Sequence, residues 1–267
     1  MKTFRMIGIA MLAVLMCVNF ASCSEDYGIS TEDGLKKIKK IERSDPYTKH
    51  TIWNFNYDKS GKLLTVTMDN GEYTSTKNYT WKKNTIESSY ETFTLNEGVI
   101  SNYCNNKKVS YSYSTGKPIG VEFLERESYG YEYTFVWQDD GLNRRDIHYR
   151  EGNRAYATES LRFLYDENAT TCKYFNPIVP IFISEGLGWD FLCVAHPELI
   201  AACSTTLPSR FIKDDYYNMN SSDWGWTETP GTFSYKLDSE GYLIEYIMSE
   251  DSADEYAYEE KYTITWE

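Results

Sequence analysis

The sequence predicts a mainly β fold: a single large curved antiparallel meander sheet, an open half-barrel or barrel-like, with a short helical apolar insert packed on its concave face. Three observations carry this. The 267-residue chain holds 24 tyrosines, 12 phenylalanines and 7 tryptophans, and aromatic residues favour strands. Tyrosine also suits half-buried faces, because its ring buries while its hydroxyl stays wet. A weak internal repeat of hairpin-like units runs along the chain. One long apolar segment interrupts it before the last unit.

The repeat reads FNYDKSGKL at 55–63, FVWQDDGLN at 135–143, FLYDENATT at 163–171 and YKLDSEGYL at 235–243. Each unit opens with an aromatic, skips one residue and places a second large apolar side chain: Phe55/Tyr57, Phe135/Trp137, Phe163/Tyr165, Tyr235/Leu237. A spacing of two puts both on one face of a strand. Asp, Ser, Asn and Gly then form the turn, and a second alternating run follows, as at 63–68 and 242–247. Each unit is a β-hairpin, and hairpins in series make a meander. Shorter relatives stand at 79–86 (YTWKKNTI) and 111–119 (YSYSTGKPI). The pattern counts to about 11 strands. The Asp-x-x-Gly turns lack the full oxygen set of a calcium loop, and turn chemistry alone accounts for them.

The interrupting segment, 176–209, is nearly uncharged and is punctuated by Pro177, Pro180, Gly186, Gly188, Pro197 and Pro208. Its runs are too short for long helices. Helices of one to three turns are expected, with Pro197 in a first turn, where its missing N–H costs nothing. A curved sheet needs cover on its concave face, and this insert is the cover or plug.

At the start of the chain, Lys2 and Arg5 precede an uncharged apolar stretch, 6–20, and the small residues Ala21 and Ser22 lead into Cys23. The stretch is shorter than the roughly 20 residues of a membrane span. It has the layout of a secretion signal. Phe20-Ala-Ser-Cys23 resembles the lipobox of bacterial lipoproteins, although that box usually begins with Leu where Phe20 stands. The resemblance implies cleavage before Cys23 and acylation of its thiol and its new amine. Two or more acyl chains hold a protein firmly to a membrane. Ser24-Glu25-Asp26 resembles the export signal of surface lipoproteins in Bacteroidota. It implies an outer-membrane location, at the cell surface rather than facing the periplasm. The organisation expected is therefore a removed signal over 1–22, an acidic linker over 23–34 after lipidated Cys23, and one β-meander domain over 35–267.

Asn176-Pro177 at the head of the insert, Leu207-Pro208-Ser209 at its end and the final hairpin from Tyr235 to Tyr242 carry a further resemblance. Over residues 35 to the end, the chain resembles an uncharacterised β-meander family in lipoproteins of Bacteroidota, the domain of unknown function 4595 type. The hairpins also resemble, more distantly, the tyrosine-aspartate repeats of large bacterial surface proteins. Neither resemblance implies a catalytic residue.

Residues 1–22 hold two bases and no acids, so removing them takes the formal net charge from −13 to −15. That argues against nucleic acid as a partner, since phosphates need a basic patch. No nucleophile elbow, phosphate-binding loop or dinucleotide fingerprint occurs, so no cofactor is expected. His50, His148 and His196 are far apart and lack metal-ligand spacing. Acid pairs such as Asp139-Asp140 and Asp214-Asp215 would point to opposite faces of a strand. Cys104, Cys172, Cys193 and Cys203 are candidate disulfide cysteines of unknown pairing, with buried thiols the equal alternative. Trp224 and Trp226 flank Gly225 in an apparent polar loop. They are candidates to stack on a sugar, or else they anchor the loop into the core. Asp251-Ser252-Ala253 resembles the O-glycosylation sequon of Bacteroidota at Ser252. The sequence thus points to a monomeric, non-enzymatic outer-membrane lipoprotein, a binding or scaffold module for a glycan or envelope protein. A carrier of lipid or another apolar ligand, with a half-barrel fold, is the alternative, and a glycan hydrolase ranks last.

Overall fold

The structure is a computed structural model. It describes residues 35–45, 50–89, 91–103, 107–126, 129–138, 141–151, 154–167, 169–175, 191–201, 204–220, 223–251 and 259–267. Leu35–Glu267 forms one compact unit. Its first strands are β1 (Ile38–Ser44), β2 (Thr51–Tyr57), β3 (Leu63–Asp69) and β4 (Thr74–Trp81). Four short ones follow: β5 (Thr85–Ser88), β6 (Thr92–Asn96), β7 (Val99–Tyr103) and β8 (Lys107–Tyr111). Longer ones come next: β9 (Pro118–Arg126), β10 (Tyr129–Gln138), β11 (Gly141–Glu151) and β12 (Arg154–Leu164). The crossover then holds β13 (Thr171–Phe175), helix α1 (Phe191–Ala195), a 3-10 turn (Pro197–Ile200) and β14 (Ser204–Thr206). The chain closes with β15 (Arg210–Asn220), β16 (Asp223–Leu237), β17 (Leu243–Glu250) and β18 (Glu259–Trp266).

All strands but β13 and β14 join one antiparallel sheet, which closes into a barrel when β1 pairs with β18. Every pairing links neighbours in sequence except that seam and the pairing of β12 with β15 across the crossover. The curved meander is thus a full barrel, and its strand number exceeds the expected one. The surplus lies mostly in β5–β8. These strands are four or five residues long and rich in Thr, Ser, Asn and Lys. The core takes Ile86, Phe93, Ile100 and Val109 from them, too thin a signal to read as alternation. The β6–β7 connection is a two-residue hairpin with positive φ at both Glu97 (51°) and Gly98 (84°), the geometry of a type I′ turn.

The antiparallel order gives the barrel two unlike ends. The turns at 58–62, 82–84, 97–98, 112–117 and 238–242 and the long crossover gather at one end, here the plug end. At this end the repeat shows its purpose. Tyr57, Trp81, Tyr111, Trp137, Tyr165 and Trp266 stand at or just past the end of an even-numbered strand. Each donates its hydroxyl or indole N–H to the backbone carbonyl at the start of the preceding strand: Ile38, Leu63, Ile100, Pro118, Leu142 and Leu243, at 2.6–2.9 Å. Tyr235 does the same to Pro208 at 2.7 Å. The ring fills the core while its polar atom satisfies a carbonyl, at a net worth of about 1 kcal/mol per bond. The β5–β6 pair has Leu95 in this position, and there the Leu95 N–H itself donates to Asn84. One aromatic of each of these units, the second at Tyr57, Trp81, Trp137 and Tyr165 and the first at Tyr111 and Tyr235, is a latch holding one strand pair at its turn end.

The wall alternates with the apolar face inward. In β2, Trp53 and Phe55 are buried while Asn54 and Asn56 are exposed. In β4, Thr76, Asn78 and Thr80 face out and Tyr79 faces in. In β16, Glu228, Pro230, Thr232, Ser234 and Lys236 are exposed. A membrane-spanning barrel has the opposite arrangement, an apolar outward band about 25 Å tall.

A 16-stranded barrel is wide enough to leave a channel unless something fills it. The crossover fills it here. Leu192, Cys193, Val194, Leu199 and Ile200 are all at most 4% exposed and join the same core as the inward wall residues. Pro197 opens the 3-10 turn, as the sequence predicts. The insert departs from expectation in its last part, where 204–206 return as β14 and pair with β13. That small sheet is tied to the wall by Lys173 N–H to the Gly241 carbonyl and Ser209 N–H to the Leu164 carbonyl, both at 2.8–2.9 Å. Residues 176–190 of the insert lie outside the described residues.

Candidate binding site

Two inward-facing groups of side chains do more than fill space. The first fastens the plug. His196 is 2% exposed. Its Nε2 accepts the Leu63 N–H at 3.2 Å, at the first residue of β3, and its Nδ1 stands 2.8 Å from Glu198 Oε1. The Nε2 role as acceptor fixes the tautomer, so Nδ1–H donates to Glu198. The ring sits edge-on between Tyr57 and Trp81, two of the latches, at 6.0 and 5.3 Å. Phe191 packs on Trp53 at 5.5 Å and on Phe55 at 6.1 Å. His196 therefore joins plug to wall, which is a structural task.

The second group lines the opposite half of the barrel, the mouth, and it is charged. Arg145 on β11 is fully buried and ion-pairs with Glu159 on β12. Lys213 on β15 lies 3.7 Å from Glu159 and 3.6 Å from Asp215. Burial pushes the Glu250 carboxyl on β17 above its ordinary value; nearby Lys213 opposes this and Asp215 adds to it. Across the β1–β18 seam, Arg43 Nε lies 2.6 Å from Glu260 Oε1, and Arg43 Nη2 donates to Asp45 at 3.0 Å. The Tyr262 hydroxyl donates to the same Glu260 at 2.8 Å. Tyr262 in turn stacks on Tyr246 at 4.6 Å, whose hydroxyl burial drives up. On β4, Lys77 pairs with Glu91 at 2.6 Å.

Register proves that these charges point inward. Arg145 is opposite Phe135 and Leu161, Glu159 opposite Ile147, and Lys213 opposite Leu161, all core positions. Inward side chains near the mouth nonetheless meet water: Tyr131, in phase with buried Tyr133 and Phe135, is 37% exposed, and the Lys213 side chain is 27% exposed. Tyr131 and Tyr149 form a ring pair at 5.5 Å. Tyrosine rings and paired charges thus line this half of the interior, next to the apolar part filled by the plug, and Tyr131 and Lys213 are members of it that reach water. This half can offer ring faces, ammonium donors and carboxylate acceptors to a solute.

The sequence carries a signal for this wall that alternation arguments overlook. Arg145 is in phase with Ile147 and Tyr149, Glu159 with Leu161 and Phe163, and Lys213 with Phe211. A charge in phase with the apolar face of a strand is an inward charge.

Other sequence-derived residues are scattered. Asp214 and Asp215 do point to opposite faces, Asp214 outward to Arg162 at 3.1 Å and Asp215 inward to Lys213. Asp58 and Asp238 spend their carboxylates on their own turns, accepting from Ser60 and Lys62 and from Glu240 and Tyr242 at 2.7–3.0 Å. These bonds, the Ser60 hydroxyl foremost for Asp58 and the Tyr242 N–H for Asp238, hold both below the ordinary carboxylate range. Trp224 and Trp226, expected in a loop, lie within β16, because it extends as a long hairpin with β15; their side chains are outside the described residues. Cys172 and Cys193 are buried in the core. Cys23, Cys104, Cys203, Ser252 and the Asp139-Asp140 pair fall outside the described residues.

No family model matches the chain. No curated protein matches it either. Among solved structures, the chain is similar to the crystal structure of a porin-like protein from Bacteroides uniformis ATCC 8492, with a TM-score of 0.56 over 86% of this chain and 96% of that one. The two share 15% sequence identity, so the likeness is one of fold.

Proposed function

We propose that this chain is a lipid-anchored, non-enzymatic binding barrel of the bacterial outer membrane, displayed at the cell surface and taking its ligand at the charged mouth. The facing of the wall carries this reading. Apolar side chains point to the plug, and polar ones point out. Such a barrel belongs in water, since burying its Thr, Asn, Lys and Glu in acyl chains would be costly. A water-surrounded barrel needs a separate tether to stay at a membrane, and Cys23 in its lipobox-like setting supplies one. The resemblance to Bacteroidota lipoproteins supports the same reading. A glycan or an envelope protein suits a mouth lined with tyrosine rings and charges. The apolar-carrier alternative is less favoured, because the plug already occupies the apolar part of the interior.

Palmitate labelling tests the anchor. The wild-type chain should incorporate label and fractionate with the outer membrane, and Cys23→Ala should do neither. Label retained in Cys23→Ala would refute the proposal.

A further inference from the structure

The barrel wall has a break at its rim. The β12–β15 ladder runs from Leu164 opposite Arg210 to Glu159 opposite Asp215 and ends there. Both strands continue beyond that rung toward the mouth. Residues 154–157 of β12 stay paired with 148–151 of β11, and 216–220 of β15 stay paired with 223–226 of β16. Among the described residues, nothing pairs with the other edge of either segment. Two open strand edges therefore stand side by side at the mouth, each lacking a neighbour on the side where the other stands.

The break has a local cause. Glu159 stands opposite Ile147 but Ala157 opposite His148, so Thr158 is an extra residue in β12. Its hydroxyl donates to the Ile147 carbonyl at 3.1 Å. A bulge bends its strand and can end pairing at a barrel rim, and this one stands immediately beyond the last rung. The edges also lack the usual protection. Strand edges left in water are commonly guarded by lysine or proline. Residues 216–220 read YYNMN, with neither and with no charge, and 154–158 read RAYAT, with one arginine. The last rung belongs to the charged group of the mouth: Glu159 meets Arg145 and Lys213, and Asp215 lies 3.6 Å from Lys213.

We propose that this break receives an extended segment of a partner polypeptide, which enters between β12 and β15 as an added strand. The proposal rests on the reading of the mouth as the binding site and names its ligand class. The N–H and C=O groups along an open edge are matched by the backbone of another strand. β12 and β15 are antiparallel, so one inserted strand runs antiparallel to one of them and parallel to the other. It must be free on both of its own edges. A chain terminus or extended loop of another protein meets that condition. A second copy of this chain does not, since each described strand already has a neighbour. Side chains of the inserted strand alternate between the two faces of the wall. Its inward ones nearest the last rung meet Lys213 and Asp215, whose side chains are 27% and 42% exposed.

The test uses the full mature chain, with amide exchange read residue by residue by NMR. Without ligand, amides over 154–157 and 216–220 should alternate between slow exchange, where they point to β11 or β16, and fast exchange, where they point into the break. Uniformly slow exchange would show that the chain fills its own break and would overturn the proposal. Random decapeptides displayed on phage supply the probe. A selected peptide, made synthetically, should slow the fast amides of both segments about tenfold or more, and methylating its central backbone nitrogens one at a time should weaken binding about tenfold. A peptide that binds but leaves both segments exchanging as before overturns strand insertion, and loss of its binding in Lys213→Ala would keep the mouth as the binding site. A library that yields no binder also overturns strand insertion. A glycan array with ligands lost in Lys213→Ala would then preserve the mouth reading, and a blank array would refute both.

Discussion

Arg145→Met should destabilise the barrel by about 3–5 kcal/mol, the usual cost of stranding a buried charge. Arg145 is fully buried, and its ion-pair partner Glu159 has a side chain only 12% exposed. The variant leaves Glu159 opposite Ile147 with Lys213 at 3.7 Å as its remaining cation. Arg145→Met with Glu159→Leu should recover much of the loss, because replacing both members of a buried pair by apolar groups removes the desolvation cost along with the attraction. Urea unfolding of the wild type, both single variants and the double variant gives the coupling. Costs that simply add would show that the two side chains do not act as a pair. The stake is functional, because a wall designed only for stability would do as well with leucine at both positions. Lys213, the partly exposed cation beside this buried pair, is therefore the candidate for ligand contact.

Gly231→Ala should be the most damaging glycine-to-alanine change among the described residues, costing about 1–3 kcal/mol through overpacking. Gly231 lies on β16 opposite Phe211 on β15. A Cβ there would fall 2.1 Å from Phe211 Cζ and 2.6 Å from the Ser249 carbonyl oxygen. Phe211 is 1% exposed and packs on Phe233 at 5.1 Å, so it has little room to turn aside. The Ser249 carbonyl belongs to the β17 backbone and cannot move without straining the wall. Trimming the ring in a Phe211→Leu, Gly231→Ala double variant should relieve only the first clash. A Gly231→Ala protein with an unchanged urea midpoint would contradict this packing.

Much of this architecture is legible in the sequence. The paired aromatics at Phe55/Tyr57 and Phe135/Trp137 mark strand ends, and the Asp-x-x-Gly stretches after Tyr57 and Leu237 are turns. The Pro- and Gly-broken segment containing Leu192 and Ile200 is the interior cover it reads as. Three things were not legible, each for a physical reason. Strands β5–β8 bury few large residues, so periodicity has little to act on. Closure depends on β1 pairing with β18 from the far end of the chain, and no local pattern encodes a partner so distant. The inward charges are in phase with the apolar residues of their own strands, but a chain this rich in solvated charge hides that signal; register against Phe135, Ile147 and Leu161 brings it out. The latch role of the aromatics was hidden for a similar reason, since Tyr57 and Trp81 reach carbonyls 19 and 18 residues back. The repeat was visible as spacing, but its cause is a hydrogen bond across a hairpin.

The inward facing of the apolar wall residues implies that water, not lipid, surrounds this barrel. Sedimentation of residues 24–267, which lack the proposed signal and lipid-attachment cysteine, in detergent-free buffer, with circular dichroism on the same sample, tests this. The account predicts a soluble, β-rich species that needs no detergent and does not bind vesicles of phosphatidylcholine. A chain that stays dispersed only in detergent, or that inserts into those vesicles, would contradict it.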